Sequence, residues 1–195
     1  MAGPSARSAS RSPAAGCPRQ SADCLPTIRR ARRDDTAVLA MIGAATFLES
    51  YAHFIGVADM LAHNRTKNSE GAYQVFAADP GSALWIAELP GTKAPVGYAL
   101  LTPPDLPIAV DDGDIELRRI YILSKWHGGG LGRRLIEATM DHARTLGKRR
   151  LLIGVYSGNE GAIGFYRRMG GVQIGTRRFQ VGESVFDDLV FALNL

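Results

Sequence analysis

The run His127-Gly128-Gly129-Gly130-Leu131-Gly132 sits between a strand-like stretch and a helix-like one, and this junction constrains the fold more than any other feature. Before it, Ile115 to Leu123 is rich in branched and aromatic residues and reads as a strand. After it, Leu135, Ile136, Met140, Ala143 and Leu146 recur at three- and four-residue spacing, so the spacing predicts a helix from Gly132 to Leu146, stopped by Gly147. A loop without Cβ atoms that opens a helix leaves several N–H groups facing outward. The helix dipole adds about half a positive charge there. Such a junction is an anion site, suited to a pyrophosphate.

Two familiar phosphate loops do not fit. A P-loop needs Lys-Ser or Lys-Thr after its last glycine, where this chain has Arg133-Arg134. The dinucleotide fingerprint needs glycine at position 133 or 135, which hold Arg133 and Leu135. The run instead resembles the acyl-CoA loop of the GNAT (Gcn5-related N-acetyltransferase) superfamily, written Q/R-x-x-G-x-G/A. Gly130 and Gly132 match, and His127 stands where glutamine or arginine is usual. Two further motifs follow in the family's order. They are Glu116-Leu-Arg-Arg-Ile-Tyr-Ile122 before the loop and Asn159-Glu-Gly-Ala-Ile-Gly-Phe-Tyr166-Arg-Arg-Met-Gly170 after it. The resemblance spans roughly Thr27 to Leu195. It implies an α/β fold in which a mixed, mostly antiparallel sheet is flanked by helices, in the order β-α-α-β-β-β-α-β-α-β-β.

A chain of 195 residues suits one domain able to bury about 70% of its unfolded surface. Apolar content of 46% and the lack of a long apolar run argue for a soluble, cytoplasmic protein that does not enter membranes. Residues 1–26 are rich in Ser, Ala, Pro and Arg, with Asp23 as the single acid, and read as a disordered tail before a domain at 27–195. The tail lacks the apolar core of a signal peptide. A transit peptide is the alternative, without a clear amphipathic stripe. Arg7, Arg11 and Arg19 against Asp23 give the tail about half of the net charge of +4, so the basic balance says little for nucleic-acid binding. Cys17 and Cys24 both lie in the tail without metal-ligand spacing, so neither a metal site nor a disulfide framework is expected.

Along the rest of the chain, Thr27 to Ala31 begins as a strand, and Asp34 offers an N-cap for a helix through Val38, Leu39, Ile42 and Phe47. A second helical stretch covers about Val57 to Asn68. Leu84 to Glu88 and Val96 to Leu101 pair around a Pro-Gly turn. Leu151 to Tyr156 is a continuous apolar run, as expected of a strand covered on both faces. Ala162, Phe165, Tyr166 and Met169 give helical spacing, and two strands, about Val172 to Val181 and Asp187 to Asn194, close the chain.

The resemblance implies an acetyl-CoA-dependent N-acetyltransferase that needs no metal and acts by direct attack of an amine on the thioester. In that reading His127, Gly128, Gly129, Gly130, Leu131, Gly132 and Arg133 surround the pyrophosphate, and main-chain groups of Ile120, Tyr121 and Ile122 hold pantetheine on a strand that splays from its neighbour. One of those amides can face the developing oxyanion. Tyr166 matches the tyrosine that protonates the departing thiolate. The alternative is a core aromatic. Asn159 matches a residue that bonds pantetheine or the loop, and the alternative is a helix cap. Glu116 is the candidate base, with a side chain expected to share a face with Arg118 and Ile120; the alternative is an ion pair with Arg118 or Arg119. An imidazole is a tempting base, but the place of His127 in the phosphate loop favours a cofactor-side or surface role. Protein N-terminal acetyltransferases of the superfamily often carry a glutamate base five residues before the asparagine. That position is Gly154 here, a departure from that branch.

The acceptor lies opposite CoA in this superfamily, against the first two helices and the loop before the central strand. Asp105, Asp111, Asp112, Asp114 and Glu116 fall in a stretch with no Lys or Arg, which would attract a polycation. Ala45-Thr-Phe-Leu-Glu-Ser-Tyr51, Leu152-Ile-Gly-Val155, Phe179-Gln-Val-Gly182 and Asp188-Leu-Val190 resemble the bacterial spermidine/spermine N-acetyltransferase branch. Gly170-Gly171 replaces that branch's Gly-Phe. A small-molecule amine is the expected partner, with a polyamine foremost. A peptide or protein amine, an amino acid, an aminoglycoside-like drug and a non-catalytic CoA-binding module remain as rivals. A monomer or a homodimer fits equally.

Overall fold

A computed structural model describes residues 25–182 and 184–195. Most of the tail, with Cys17 and Cys24, lies outside the described residues. The chain runs β1 (Thr27–Arg30), α1 (Thr36–Tyr51), α2 (Val57–Lys67), α3 (Glu70–Ala78), β2 (Ala83–Glu88), β3 (Pro95–Thr102), β4 (Asp114–Ile122), α4 (Leu131–Thr145), β5 (Arg150–Tyr156), α5 (Glu160–Arg168), β6 (Val172–Val181) and β7 (Ser184–Asn194), with a 3-10 turn at Ser124–Trp126. The seven strands form one sheet in the order β1-β2-β3-β4-β5-β7-β6. Only the β4–β5 pair is parallel.

The expected order lacks α3. Its nine residues carry only a short apolar stripe, Tyr73 with Phe76 and Ala77, and a polar Asn68-Ser69 step separates it from α2. Ser69 makes the start physical: its hydroxyl accepts from the Ala72 amide at 3.2 Å, an N-cap. The first helix also starts differently from the expected Asp34 cap. Asp35 stands at its N-terminus and makes no side-chain cap bond to the helix. Its carboxylate is instead taken by Arg29 at 2.7 and 2.9 Å and by the Arg32 amide. A guanidinium fork outcompetes single neutral amides for a carboxylate.

Helices cover both faces of the sheet. On one face α4 lays down Leu135, Ile136, Met140 and Ala143 against Ile115, Leu117, Leu151, Ile153 and Phe191. On the other, Leu39 and Ile42 of α1 and Tyr73 of α3 pack on Leu84, Ile86, Tyr98 and Leu100. A smaller cluster of Phe47, Ile55, Met60 and Val181 ties α1 and α2 to the β6–β7 hairpin.

The β4–β5 seam is short, only Asp114↔Arg150, Ile115↔Leu151 and Glu116↔Leu152. Beyond it β5 stays paired with β7 as far as Tyr156, and β4 stays paired with β3 as far as Ile122, so the two strands part. A bulge marks the parting: Leu101 faces Leu117 but Leu100 faces Arg119, leaving Arg118 unmatched. At the closed end, Asp114 is fully buried and accepts two 2.7 Å bonds from Arg150 and one from the Asp111 amide. These bonds hold its carboxyl below the usual range, the Arg150 bond most of all.

Asp114→Asn is therefore expected to lower stability at neutral pH by about 1.5–3 kcal/mol, the usual contribution of hydrogen bonds to a charged group. A carboxyl depressed in the folded state stabilises above its unfolded pKa of about 3.9 and loses that contribution as pH falls. The gap between wild type and variant in urea titrations should shrink below about pH 4. A constant gap down to pH 2.5 would show that packing rather than charge holds the seam.

Candidate active site

The parted strands open a cleft of about 770 Å³ that runs from the glycine loop, between β4 and β5, to α1, α2 and the β6–β7 hairpin. At one end Gly130 is the N-cap of α4 at φ 78°, and Gly128 lies at φ 79°. These left-handed values are open to glycine and strained for other residues. No side chain caps the helix, so the amides of Leu131, Gly132 and Arg133 begin it without a carbonyl partner. The Leu131 side chain is buried beneath the loop against Ala87 and Val96. His127 anchors the loop from the other side, its Nε2 2.7 Å from the Ile122 carbonyl. That contact occupies one of the main-chain groups expected to face pantetheine. Arg133 lies exposed and paired with Glu137 at 2.7 Å. Arg134 points away and donates to the Pro26 carbonyl at 3.1 Å.

The middle of the cleft is lined by Ile120, Tyr121, Ile122 and Leu117 of β4 on one side and by Ile153, Val155, Tyr156 and Tyr166 on the other. Tyr166 is largely buried beside Phe165 and Phe191 yet reaches the cleft, and among the described residues its hydroxyl has no hydrogen-bond partner. Burial, with a smaller effect of Tyr121, pushes that phenol well above its ordinary value, so it stays protonated. Tyr166 is thus a core aromatic whose polar tip meets the cleft. Asn159 likewise lines the cleft while its Oδ1 accepts from Ala162 N at 3.0 Å, capping α5.

Glu116 is placed differently from its expected face. The bulge reverses the alternation after Leu117, so Ile120 and Ile122 pack with Leu117 in the α4 core while Arg119 turns to the α3 side. Glu116 therefore does not share a face with Ile120. It is buried and does not line the cleft; Oε2 accepts from the Asp105 amide at 2.8 Å, and Oε1 stands 3.6 Å from Arg177. Neither Arg118 nor Arg119 pairs with it. Arg118 pairs with Asp105 at 3.0 Å.

Arg177 carries no signal of function in sequence, and Asp188 stands out there only as the first residue of the Asp188-Leu-Val190 likeness. Arg177 Nε donates to Asp188 Oδ2 at 2.9 Å, and both line the cleft. The guanidinium lies over Gly154, where an added Cβ would come 2.6 Å from its Cζ. The site of the branch's glutamate is thus filled by a cation. Burial raises the Asp188 carboxyl despite the opposing pull of Arg177.

The far end is aromatic. Tyr51 Oη lies 3.1 Å from Tyr121 Oη, Tyr121 stacks on Tyr98, and Phe47 stacks on His63 with centroids 4.0 Å apart. Burial first, then Arg119 and Lys67, lower the His63 imidazole to about 4, so it is neutral at physiological pH. His63 carries no motif in the sequence. Its use here comes from tertiary packing. His53 does not line the cleft, and neither do Asp105, Asp111, Asp112, Asp114 and Glu116. Much of the acidic stretch is paired locally: Asp111 with Arg149, Asp114 with Arg150 and Asp105 with Arg118, while Lys148 donates to the Asp112 carbonyl.

With this geometry in view, comparison with known proteins is informative. Residues 45–171 match the acetyltransferase (GNAT) family. An uncharacterised N-acetyltransferase of Mycobacterium tuberculosis is 29% identical over 161 residues, covering 83% of this chain and 98% of the relative. An L-methionine sulfoximine/L-methionine sulfone acetyltransferase of Pseudomonas aeruginosa is 29% identical over 106 residues, 47% of this chain and 60% of that protein. Among solved structures, a PaiA N-acetyltransferase of Thermoplasma acidophilum in complex with coenzyme A superposes with a TM-score of 0.67 at 14% identity, covering 87% and 99% of the two chains. A ribosomal-protein-alanine N-acetyltransferase of Brucella melitensis gives 0.60 at 23% identity, covering 87% and 99%.

Gly130→Glu puts a side chain on a left-handed residue and a negative charge beside the free amides. Titration calorimetry is expected to show acetyl-CoA affinity falling at least a hundredfold, with the thermal transition retained. Wild-type affinity would reduce the loop to a turn.

Proposed function

The chain belongs to the acetyltransferase (GNAT) family and is an acetyl-CoA-dependent N-acetyltransferase; from that premise we propose that it acetylates the primary amine of a small acceptor within the cleft between β4 and β5. The observation that carries this reading is the parting of the two strands after three pairs, which joins the glycine loop to Tyr166 in one channel. The loop fits a pyrophosphate because it offers free amides, a positive helix end and no side chain in the way. The unpaired edge of β4 fits pantetheine in the manner of an added strand.

Acetyl-CoA supplies the electrophilic thioester carbonyl. The acceptor nitrogen forms the new N–C bond as the C–S bond breaks, and one proton must leave the amine while one reaches the sulfur. A strand amide of β4 faces the charge that develops on the carbonyl oxygen. Tyr166 holds the proton for the sulfur. Its burial makes transfer to a thiolate harder, but the same dry cleft destabilises the thiolate, so the two ordinary values near 10 and 8.5 rise together.

For the amine proton, Asp188 is the carboxylate that reaches the cleft. Its Oδ1 makes no internal hydrogen bond among the described residues, and a raised carboxyl is the better base. Glu116 sits behind it on the same guanidinium and positions Arg177. The polyamine acceptor suggested by the narrower likeness would need several carboxylates in the cleft, where Asp188 is the single one among the described lining residues and is shared with Arg177.

Release of free CoA from acetyl-CoA across a panel of amines tests the assignment. Binding without release for any amine would leave a CoA-binding module instead. Tyr166→Phe should lower kcat by about 10²- to 10⁴-fold, the span of general acid catalysis, with little change in acetyl-CoA affinity. Asp188→Asn should lower kcat and flatten its rise with pH more than Glu116→Gln does. The reverse order would return the base to Glu116.

A further inference from the structure

Six cations line the cleft: Lys67, Arg118, Arg119, Arg133, Arg168 and Arg177. Arg118, Arg133 and Arg177 are paired with Asp105, Glu137 and Asp188. Lys67, Arg119 and Arg168 have no carboxylate partner among the described residues. Two of these three, Arg119 and Lys67, both act on the His63 imidazole, and Arg119 Nη1 donates to the Lys67 carbonyl at 2.9 Å, to Asn68 Oδ1 at 3.2 Å and to Tyr73 Oη at 3.0 Å. Those three bonds fix the guanidinium by one nitrogen. Its Nε and Nη2 make no internal bond and are not sealed from the cleft, which leaves free the edge that meets a carboxylate with two parallel N–H donors.

A half-buried cation without a counter-charge is costly unless an anion arrives. Lys67 adds a second positive charge, and the neutral His63 beside them contributes no anion. The opposite wall, Phe47, Tyr51, Ile55, Phe179 and Phe186, is apolar. Arg119 adjoins Ile120, the start of the strand edge offered to pantetheine. Arg119 lines the same cleft as Tyr166 and Asp188, so an anion held there shares the space in which the amine would react.

We propose that Arg119, assisted by Lys67, is the subsite for a carboxylate of the acceptor, and that the acceptor is a small α-amino acid whose apolar side chain packs on the aromatic wall. This inference rests on the acetyltransferase reading of the cleft. The subsite also serves the chemistry, since a nearby guanidinium disfavours the ammonium form of the acceptor and so raises the share of neutral amine.

The test compares L-phenylalanine and L-leucine with their amides in the CoA-release assay. The amide nitrogen-terminus is less basic and more often neutral, so it reacts faster unless the carboxylate is recognised. Wild type is expected to favour the acids at least tenfold in kcat/KM. Arg119→Gln should raise KM for the acids at least tenfold more than for the amides, and Lys67→Gln, an exposed change that spares the α2–β4 bonds, should move the same ratio in the same direction by threefold or more. Amides acetylated as fast as acids by wild type, or equal losses for both in the variants, would overturn the subsite. Release with spermidine alone would also overturn it and leave acetyl transfer standing. Release with no amine at all would overturn the transfer reading itself, and the subsite with it.

Discussion

The structure depends on where the parallel pairing of β4 with β5 stops. Three pairs hold the strands together at the Asp114–Arg150 end, and each then follows a different partner, β3 on one side and β7 on the other. A strand edge left without a neighbour inside a sheet carries amides and carbonyls that water or a ligand must satisfy. Covering helices exclude water from most of this sheet, and the gap stays open because the flanking pairings are long. The Arg118 bulge adds the second half of the device, since it turns Arg119 and Tyr121 toward α1 and α3 while Ile120 and Ile122 stay in the α4 core. One strand thereby presents an apolar face to one layer and a polar, aromatic face to the other.

Features set by neighbours in sequence were legible. The loop and α4 could be read because glycine freedom and a 3.6-residue stripe act over a dozen residues, and the chain realises them as Gly130 at φ 78° followed by buried Leu135, Ile136 and Met140. The strands around the Pro-Gly turn were readable for the same reason. The missing helix α3 shows the limit: nine residues with one short stripe give a weak periodic signal, and what stabilises them is Tyr73 packing on Tyr98 and bonding Asn68 and Arg119. Of the candidate residues read in sequence, the glycine loop and Tyr166 do line the cleft. The site was not legible at its carboxylates. The face of Glu116 hinged on a bulge that no local residue announces, and the role open to Asp188 depends on Arg177 lying over Gly154, contacts between strands far apart in the chain.

The acidic stretch before β4 shows how charge read along a chain can mislead. Asp111 and Asp114 face Arg149 and Arg150 across the β4–β5 seam, so the cluster closes the sheet rather than drawing a ligand. Sequence spacing cannot reveal this, because the cations arrive from the strand after α4. The cations of the cleft show the converse. Arg119 reads in sequence as one more basic residue on a strand, and only the fold sets it at the C-terminal end of α2, with no carboxylate partner among the described residues.

Charge in the cleft is therefore arranged by position. At the α4 end, positive potential comes from backbone amides and the helix dipole, with Arg133 already committed to Glu137. At the α2 end it comes from a guanidinium held by one nitrogen. Between them lie phenols, aliphatic side chains and one carboxylate, Asp188, half-neutralised by Arg177. An amine bound in that middle region sits in a weakly polar space with cations on both flanks, where its charged form is disfavoured and a single carboxylate is at hand to take its proton. On the proposed reading, the two anion-attracting ends position the substrates and also keep the nucleophile neutral, so binding and activation follow from the same placement of charge.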